Sequence, residues 1–275
     1  NAGALGTLTP VAHIPPKAVL IELGCGDCTK TRILLRALAH RDGHVDFVGI
    51  DSSAESLSSS AARFKEDPAI HFTALHDHFF DGLAAATRLF PNRERVVMLL
   101  GSTLGNMSFK DSCLFVQTVL ELAAPRPGGA LPHLLFGLDM WKDESHLRRA
   151  YDNEITARFE LGGLRNTLRH LDPECVFNEA DWRYVVDINR ARSQVEMYAE
   201  AVRPQRVAGI DFEQSERILL EISHKFRDEA IPSLFAGCGA LGTFGAGYRI
   251  YVLAAHPHEA YNPWRTYAAK DIEDI

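Results

Sequence analysis

The 275 residues predict an α/β protein, a doubly wound parallel sheet interrupted by an inserted α+β lobe. Three observations predict it. Short, branched apolar runs alternate with helical stretches up to about residue 140, the rhythm of parallel strands joined by helical crossovers. The first run, V-L-I-E-L at 19–23, breaks at once into a glycine turn at Gly24 and Gly26 and then into a helix. After residue 140 the pattern changes to pieces that alternate apolar and polar side chains, which suits antiparallel strands with one wet face.

The elements follow in order. Residues 1–17 contain Gly, Ala and Pro and read as an irregular lead-in. Strand one covers 18–22, buried and short, and its helix covers roughly 28–40. Asp42-Gly43 marks the turn into a strand at 46–50, and a Ser/Ala-rich helix follows over about 53–65. A third strand over 70–74 runs into His76, Asp77 and His78. Helical residues 81–90 precede a very apolar strand at 95–100. Asp111 is placed to cap a helix over 111–123. P-R-P-G-G at 125–129 is a breaker, and 134–138 is the fifth strand. A helical stretch over about 143–171 carries Tyr151. Strand-like pieces occupy 182–188, 194–200 and 205–212, and 219–226 is a strand or a strand-to-helix edge. A helix at 228–237 and a last apolar strand at 248–255 return to the first sheet. Residues 1–140 with 226–275 therefore form one core, and 141–225 an inserted lobe.

Composition narrows the class. Hydrophobic residues make up 46% and charged residues 24%, ordinary values for a globular protein. A net charge of −7 argues against a nucleic-acid partner, which calls for a basic patch. No apolar run approaches the ~18 residues of a membrane span. The five cysteines, an odd number, are scattered, which suits a reducing cytoplasm rather than a disulfide framework. Cys25 and Cys28 form a C-x-x-C, but no second pair stands at zinc spacing, and both read as small residues packed in a ligand-binding turn. His76-x-His78 is the densest histidine cluster and lacks a helical His partner, so no metal is expected.

The turn after strand one carries the chemistry. Its glycines let backbone groups approach a ligand closely. The spacing is Gly-x-Gly without the third glycine of a dinucleotide fingerprint. Strand two ends in Asp51, where a carboxylate can accept hydrogen bonds from both ribose hydroxyls; as an alternative, Asp51 caps the following helix. E-L-G-x-G resembles the first motif of the S-adenosylmethionine-dependent methyltransferases. That resemblance implies the class I methyltransferase form of the Rossmann-like sheet, with Glu22, Gly24 and Gly26 at the cofactor.

Five stretches sharpen the resemblance: I-E-L-G-C-G-D-C-T-K-T-R at 21–32, L-G-S-T-L-G-N at 100–106, L-D-M-W-K-D at 138–143, A-Y-D-N at 150–153 and E-I-S-H-K-F at 221–226. In this order they resemble the histidine-specific Nα-methyltransferases of ergothioneine biosynthesis, whose wider family includes fungal prenyl-tryptophan N-methyltransferases. The resemblance runs from about residue 15 to nearly the end. It implies three methyl transfers to the α-nitrogen of L-histidine, giving the trimethyl betaine hercynine, in a cytoplasmic enzyme with a small-molecule amino-acid substrate. It assigns Gly24, Lys30 and Asp51 to the cofactor and Asp77 and His78 to its adenine, His78 standing where the family often has Phe. It assigns Gly101 to the substrate, and Asn106 and Tyr151 to the amino acid's α-amino and α-carboxylate end, nearest the chemistry. Glu221 and Ser223 match the pair that grips the imidazole. The family's N-terminal helical segment, which lends tyrosines to the pocket, is not in this sequence; the chain begins at Asn1 without Met, so part of the substrate domain is expected to lie outside it.

Each residue also has a plainer reading. Asn106 can donate and accept, so it can read an amine or a carboxylate; it can equally be a Gly-Asn turn residue. A helical Tyr such as Tyr151 is often core with its hydroxyl at the surface. Glu221 and Ser223 are two apart, hence on one face of a strand, where a carboxylate and a hydroxyl can serve the two imidazole nitrogens; a salt bridge from Glu221 to Lys225 is the alternative. Two other functions stay open at this point: methylation of another aromatic amino acid or imidazole amine, and a cofactor-binding regulator without activity.

Overall fold

The computed structural model describes residues 10–124 and 131–256. The breaker at 125–129, the first nine residues of the lead-in and the chain beyond 256 lie outside the described residues. The described residues divide into two compact units, one of 10–103, 109–124, 131–139 and 228–256, the other of 104–108 and 140–227.

The first unit holds a seven-stranded sheet. In chain order its elements are β1 (Val19–Leu23), α1 (Thr31–Asp42), β2 (Val45–Asp51), α2 (Ala54–Phe64), β3 (Ile70–His76), α3 (Phe79–Leu89), β4 (Arg95–Leu99), α4 (Phe109–Ala123) and β5 (His133–Asp139). After the second unit come a one-turn α7 (Ile231–Leu234), β11 (Cys238–Gly245) and β12 (Tyr248–Ala255). The strand order is β11-β12-β5-β4-β1-β2-β3, parallel from β5 to β3, with β12 antiparallel to β5. Strand order reverses beside β1, between β2 and β4. Ligands of such sheets bind at the carboxyl ends of the strands at that reversal. β1 and β4 are buried along their whole length, as expected of central strands covered on both faces. Leu20, Phe47, Val96 and Leu135 lie in the core under Leu34, Leu35 and Leu38 of α1.

The second unit is built on the antiparallel sheet β10-β7-β6, made of β6 (Trp182–Asn189), β7 (Gln194–Ala201) and β10 (Arg217–His224), with a small hairpin of β8 (Gln205–Val207) and β9 (Ile210–Phe212). Helices α5 (Glu144–Tyr151) and α6 (Glu154–Leu171) pack on one face of it. Leu161, Leu164 and Leu168 of α6 meet Trp182, Ala199 and Ala201, and Leu147 of α5 meets Val186, Val195 and Met197.

Three expectations change, and one strand carried no expectation. The helix over 143–171 is two helices, because Asn153 caps a new one by accepting from the N–H groups of Ile155 and Thr156; an Asx side chain competes with its own backbone and starts a helix. The strand over 205–212 is a hairpin turning at Ala208-Gly209, both with positive φ. The helix over 228–237 shrinks to a 3₁₀ turn at 228–230 and the single turn of α7. The glycine-rich stretch 238–245, which carries no strand pattern, is the edge strand β11.

Candidate active site

In the first unit the turn after β1 is held from β2. The N–H groups of Gly24 and Cys25 donate to Ile50 O at 2.8 and 3.1 Å. Gly24 and Gly26 sit at φ +69° and +54°, where L side chains are strained. A Cβ on Gly24 would stand 3.3 Å from the Phe79 ring, whereas above Gly26 there is open space. Asp51 accepts from Gly26 N at 2.8 Å and from Ser53 N at 2.8 Å, so each carboxylate oxygen clamps one backbone group and keeps a lone pair for a ligand. The helix-cap reading of Asp51 passes to Ser53, whose hydroxyl accepts from Ser56 N at the start of α2.

Glu22 is 3% exposed. Its Oε1 accepts from Thr31 Oγ1 at 2.8 Å and its Oε2 has no hydrogen-bond partner. Burial pushes its carboxyl up to about 8, against the pull of the Thr31 hydroxyl. Cys25 and Cys28 are buried free thiols that pack the turn. Lys30 and Gly101 line one cavity of about 400 Å³, together with Leu34, Leu100, Ser102 and Tyr248. Asp77 N donates to Asp51 O at 3.2 Å, and Asp77 Oδ1 accepts from His78 N at 2.8 Å, which places both residues at the tip of β3 beside β2. His76 spends Nε2 on Ser52 O. Among the described residues one group, His44, Asp46 and His71, has ligand atoms close enough for a cation, but Asp46 already pairs with Arg93 and His71.

In the second unit Tyr151 and Ser223 come together, with Tyr151 Oη and Ser223 Oγ 3.0 Å apart. Lys225, fully buried, donates to Tyr151 Oη at 2.5 Å and to Ser223 Oγ at 2.7 Å. Lysine only donates, so both hydroxyl oxygens accept from it. The two hydroxyls share one bond between them, which leaves one hydroxyl hydrogen to point at a ligand. Gly105 packs on the same strand: a Cβ there would meet His224 O at 3.0 Å and Ser223 Oγ at 3.7 Å. This close approach carries the neighbouring Asn106, whose exposed side chain makes no hydrogen bond among the described residues.

A β-bulge sets the row on β10. Ile218 pairs with Ala199 and Glu221 with Met197, the register shifting between Leu219 and Glu221. The extra residue reverses the alternation. Glu221, Ser223 and Lys225 therefore join Ile218 on the face covered by α5 and α6. Glu221 does not pair with Lys225; its carboxyl lies against that of Glu160 on α6.

Residues 8–242 match the histidine-specific, S-adenosylmethionine-dependent methyltransferases. The chain belongs to this family. It is 33% identical to the histidine N-alpha-methyltransferase of Mycobacterium tuberculosis over 80% of this chain and 68% of that protein. It is 30% identical to ergothioneine biosynthesis protein 1 of Neurospora crassa, over 88% of this chain but 28% of that much longer protein. A 4-dimethylallyltryptophan N-methyltransferase of Aspergillus fumigatus is 26% identical over 83% of this chain and 70% of its own length.

The β1 turn of this methyltransferase fits its cofactor. S-adenosylmethionine carries a cationic sulfonium and ammonium, and the turn offers an acid, Glu22, with one buried oxygen unspent, beside a glycine backbone open to a ligand. Sequence reasoning missed three residues. Tyr248 follows from the fold: its hydroxyl occupies the space over Gly137, where a Cβ would lie 1.8 Å from it, and its phenol is pushed up to about 12 by burial and by Asp139 and Glu22. Lys225 was within reach as the next same-face residue after Ser223. Glu160 sits in an ordinary amphipathic helix and carries no local signal.

Proposed function

We propose that this methyltransferase moves methyl groups from S-adenosylmethionine to the α-nitrogen of L-histidine, three in succession, giving hercynine in ergothioneine biosynthesis. The first unit is the cofactor-binding core and the second the substrate lobe. The observation that carries the acceptor is the row Glu221, Ser223 on the covered face of β10, beside Tyr151.

The cofactor supplies an electrophilic methyl on a sulfonium; the chain's residues bind, orient and keep the amine neutral. Gly24, Gly26 and Lys30 hold the cofactor's methionine end, with Glu22 opposite its positive charge. Asp51 takes the ribose hydroxyls on its remaining lone pairs, and Asp77 and His78 take the adenine. Asn106 and Tyr151 hold the α-amino and α-carboxylate end, and Gly101 is assigned to the substrate by resemblance. Glu221 accepts from one imidazole nitrogen and Ser223 serves the other. Holding the reactants in line supplies much of the rate, since oriented groups gain ~7–11 kcal/mol. The five free thiols fit a reducing compartment, which we take to be the cytoplasm.

The test is a mass-spectrometric screen of the twenty amino acids with S-adenosylmethionine, repeated on Glu221→Met. Histidine should be trimethylated in preference to the rest. The substitution removes a charge-assisted acceptor worth ~1.5–3 kcal/mol, so the histidine-to-tryptophan ratio should fall about tenfold or more. An unchanged ratio in a folded variant sinks the assignment of Glu221. Methylation of another amino acid instead of histidine sinks the acceptor.

A further inference from the structure

Glu160 is a buried acid that the reading above does not use. It is 7% exposed, on the face of α6 that also carries Leu161 and Leu164. α6 packs on β10, and the Glu160 carboxyl lies against that of Glu221. Two carboxylates are acceptors only, so a hydrogen bond between them needs a proton on one. Like charges side by side in a water-poor site cannot both ionise freely.

The surroundings offer the pair little help. On β7 the side chains of the same face are Val195, Met197 and Ala199, all uncharged and buried. From β6 comes Tyr184, which donates to Tyr151 O at 3.2 Å and whose phenol is pushed up by burial, Glu160, Asp152 and Glu221. Tyr151 and Asp152 stand at the end of α5. On β10, Lys225 is engaged with Tyr151 and Ser223. On α6, Arg165 lies more than a turn beyond Glu160. Burial and Glu221 alone raise the Glu160 carboxyl to about 7.

We propose that Glu160 is a specificity-determining residue: with Glu221 it forms a carboxyl pair that holds a single proton, and the histidine ring is received by this pair rather than by a lone carboxylate. The proposal rests on the reading of Glu221 as the imidazole acceptor. With one proton the pair has a single negative charge, Glu160 donates to Glu221, and Glu221 keeps a lone pair for the ring N–H. Above neutrality the pair loses that proton and becomes two adjacent carboxylates. Seating the neutral ring then excludes water from a doubly charged site, and one proton returns from solvent, to the pair or to the ring as imidazolium. Histidine binding above pH 7 is therefore coupled to proton uptake, and the coupling belongs to Glu160.

The experiment is calorimetry of L-histidine binding to the full chain saturated with S-adenosylhomocysteine, in buffers of different ionisation heat, from pH 6 to 9. Glu160→Gln keeps a donor for Glu221 but cannot ionise. At pH 8 the unchanged protein should take up more protons than Glu160→Gln, by a difference approaching one. The ratio of their dissociation constants should climb up to about tenfold per pH unit above 7. Protons on the α-amino group cancel, being common to both. If Glu160→Gln does not fold, Glu160→Leu carries the same expectation. Equal proton uptake and parallel affinity curves overturn the proposal. Glu221→Gln separates the two readings: unchanged histidine affinity at pH 6 means that Glu221 is not the acceptor. Lost affinity there, with no effect of Glu160→Gln on the pH dependence, removes Glu160 alone.

Discussion

Glu22→Gln is the most direct probe of the turn after β1. The side chain keeps its size, and Thr31 Oγ1, 2.8 Å from Oε1, retains an acceptor. What changes is a charge. The Glu22 carboxyl is raised from 4.5 to about 8, chiefly by burial. The folded chain thus holds a proton that the unfolded chain gives up once the pH passes 4.5. Stability from this group is fully present below 4.5, falls as pH rises, and is lost above about 8. The slope is ~1.4 kcal/mol per pH unit over that window, on the order of 5 kcal/mol in all. Gln removes the slope. It also places an amide N–H₂ where Oε2 now lacks a partner, a pH-independent cost of ~1–3 kcal/mol. The slope, not the offset, is therefore the readout. Urea denaturation of both proteins without cofactor, from pH 5 to 9, should give a difference that shifts toward Gln as pH rises and levels off above 8. Curves that stay parallel would refute the buried, proton-holding acid. The same logic extends to ligands: near pH 7 a cationic sulfonium favours the ionised acid, so Glu22→Gln should weaken S-adenosylmethionine more than the neutral-sulfur S-adenosylhomocysteine.

Two further substitutions test the two ends of the site. Asp51→Ala removes the acceptor for Gly26 N and Ser53 N and the one proposed for the ribose; calorimetry should find S-adenosylmethionine binding weaker by ~2–4 kcal/mol, and unchanged affinity would clear Asp51 of the role. Tyr151→Phe leaves Lys225 with one acceptor fewer in a buried site, so the protein should lose ~1–3 kcal/mol in urea denaturation, and turnover should drop for every amino-acid acceptor alike; a change confined to side-chain preference would reverse the proposed orientation of the substrate.

Much of the conformation of the turn after β1 was legible because local chemistry dictates it. A β-branched run reads as a buried strand, positive φ at Gly24 and Gly26 demands glycine, and an acid at the end of the next strand is a matter of counting. The break at Asn153 also had a local sign, a strong cap inside an apparently continuous helix. β11 had none: its glycines answer to neighbours distant in sequence, Gly239 to His256 and Gly242 in part to His13. Period two put Glu221 and Ser223 on a common face but could not say which face. That was decided by the bulge between Leu219 and Glu221, a property of pairing with β7 that no residue of β10 announces. The same holds for Glu160, 61 residues upstream of its partner. Its helix pattern is that of any buried stripe, and only packing α6 onto β10 turns one acid of that stripe into half of a proton-sharing pair. Backbone conformation and alternation are short-range and are written in adjacent residues. Which face is covered, and which charges meet under the cover, depends on contacts across the chain, and those the tertiary structure alone decided.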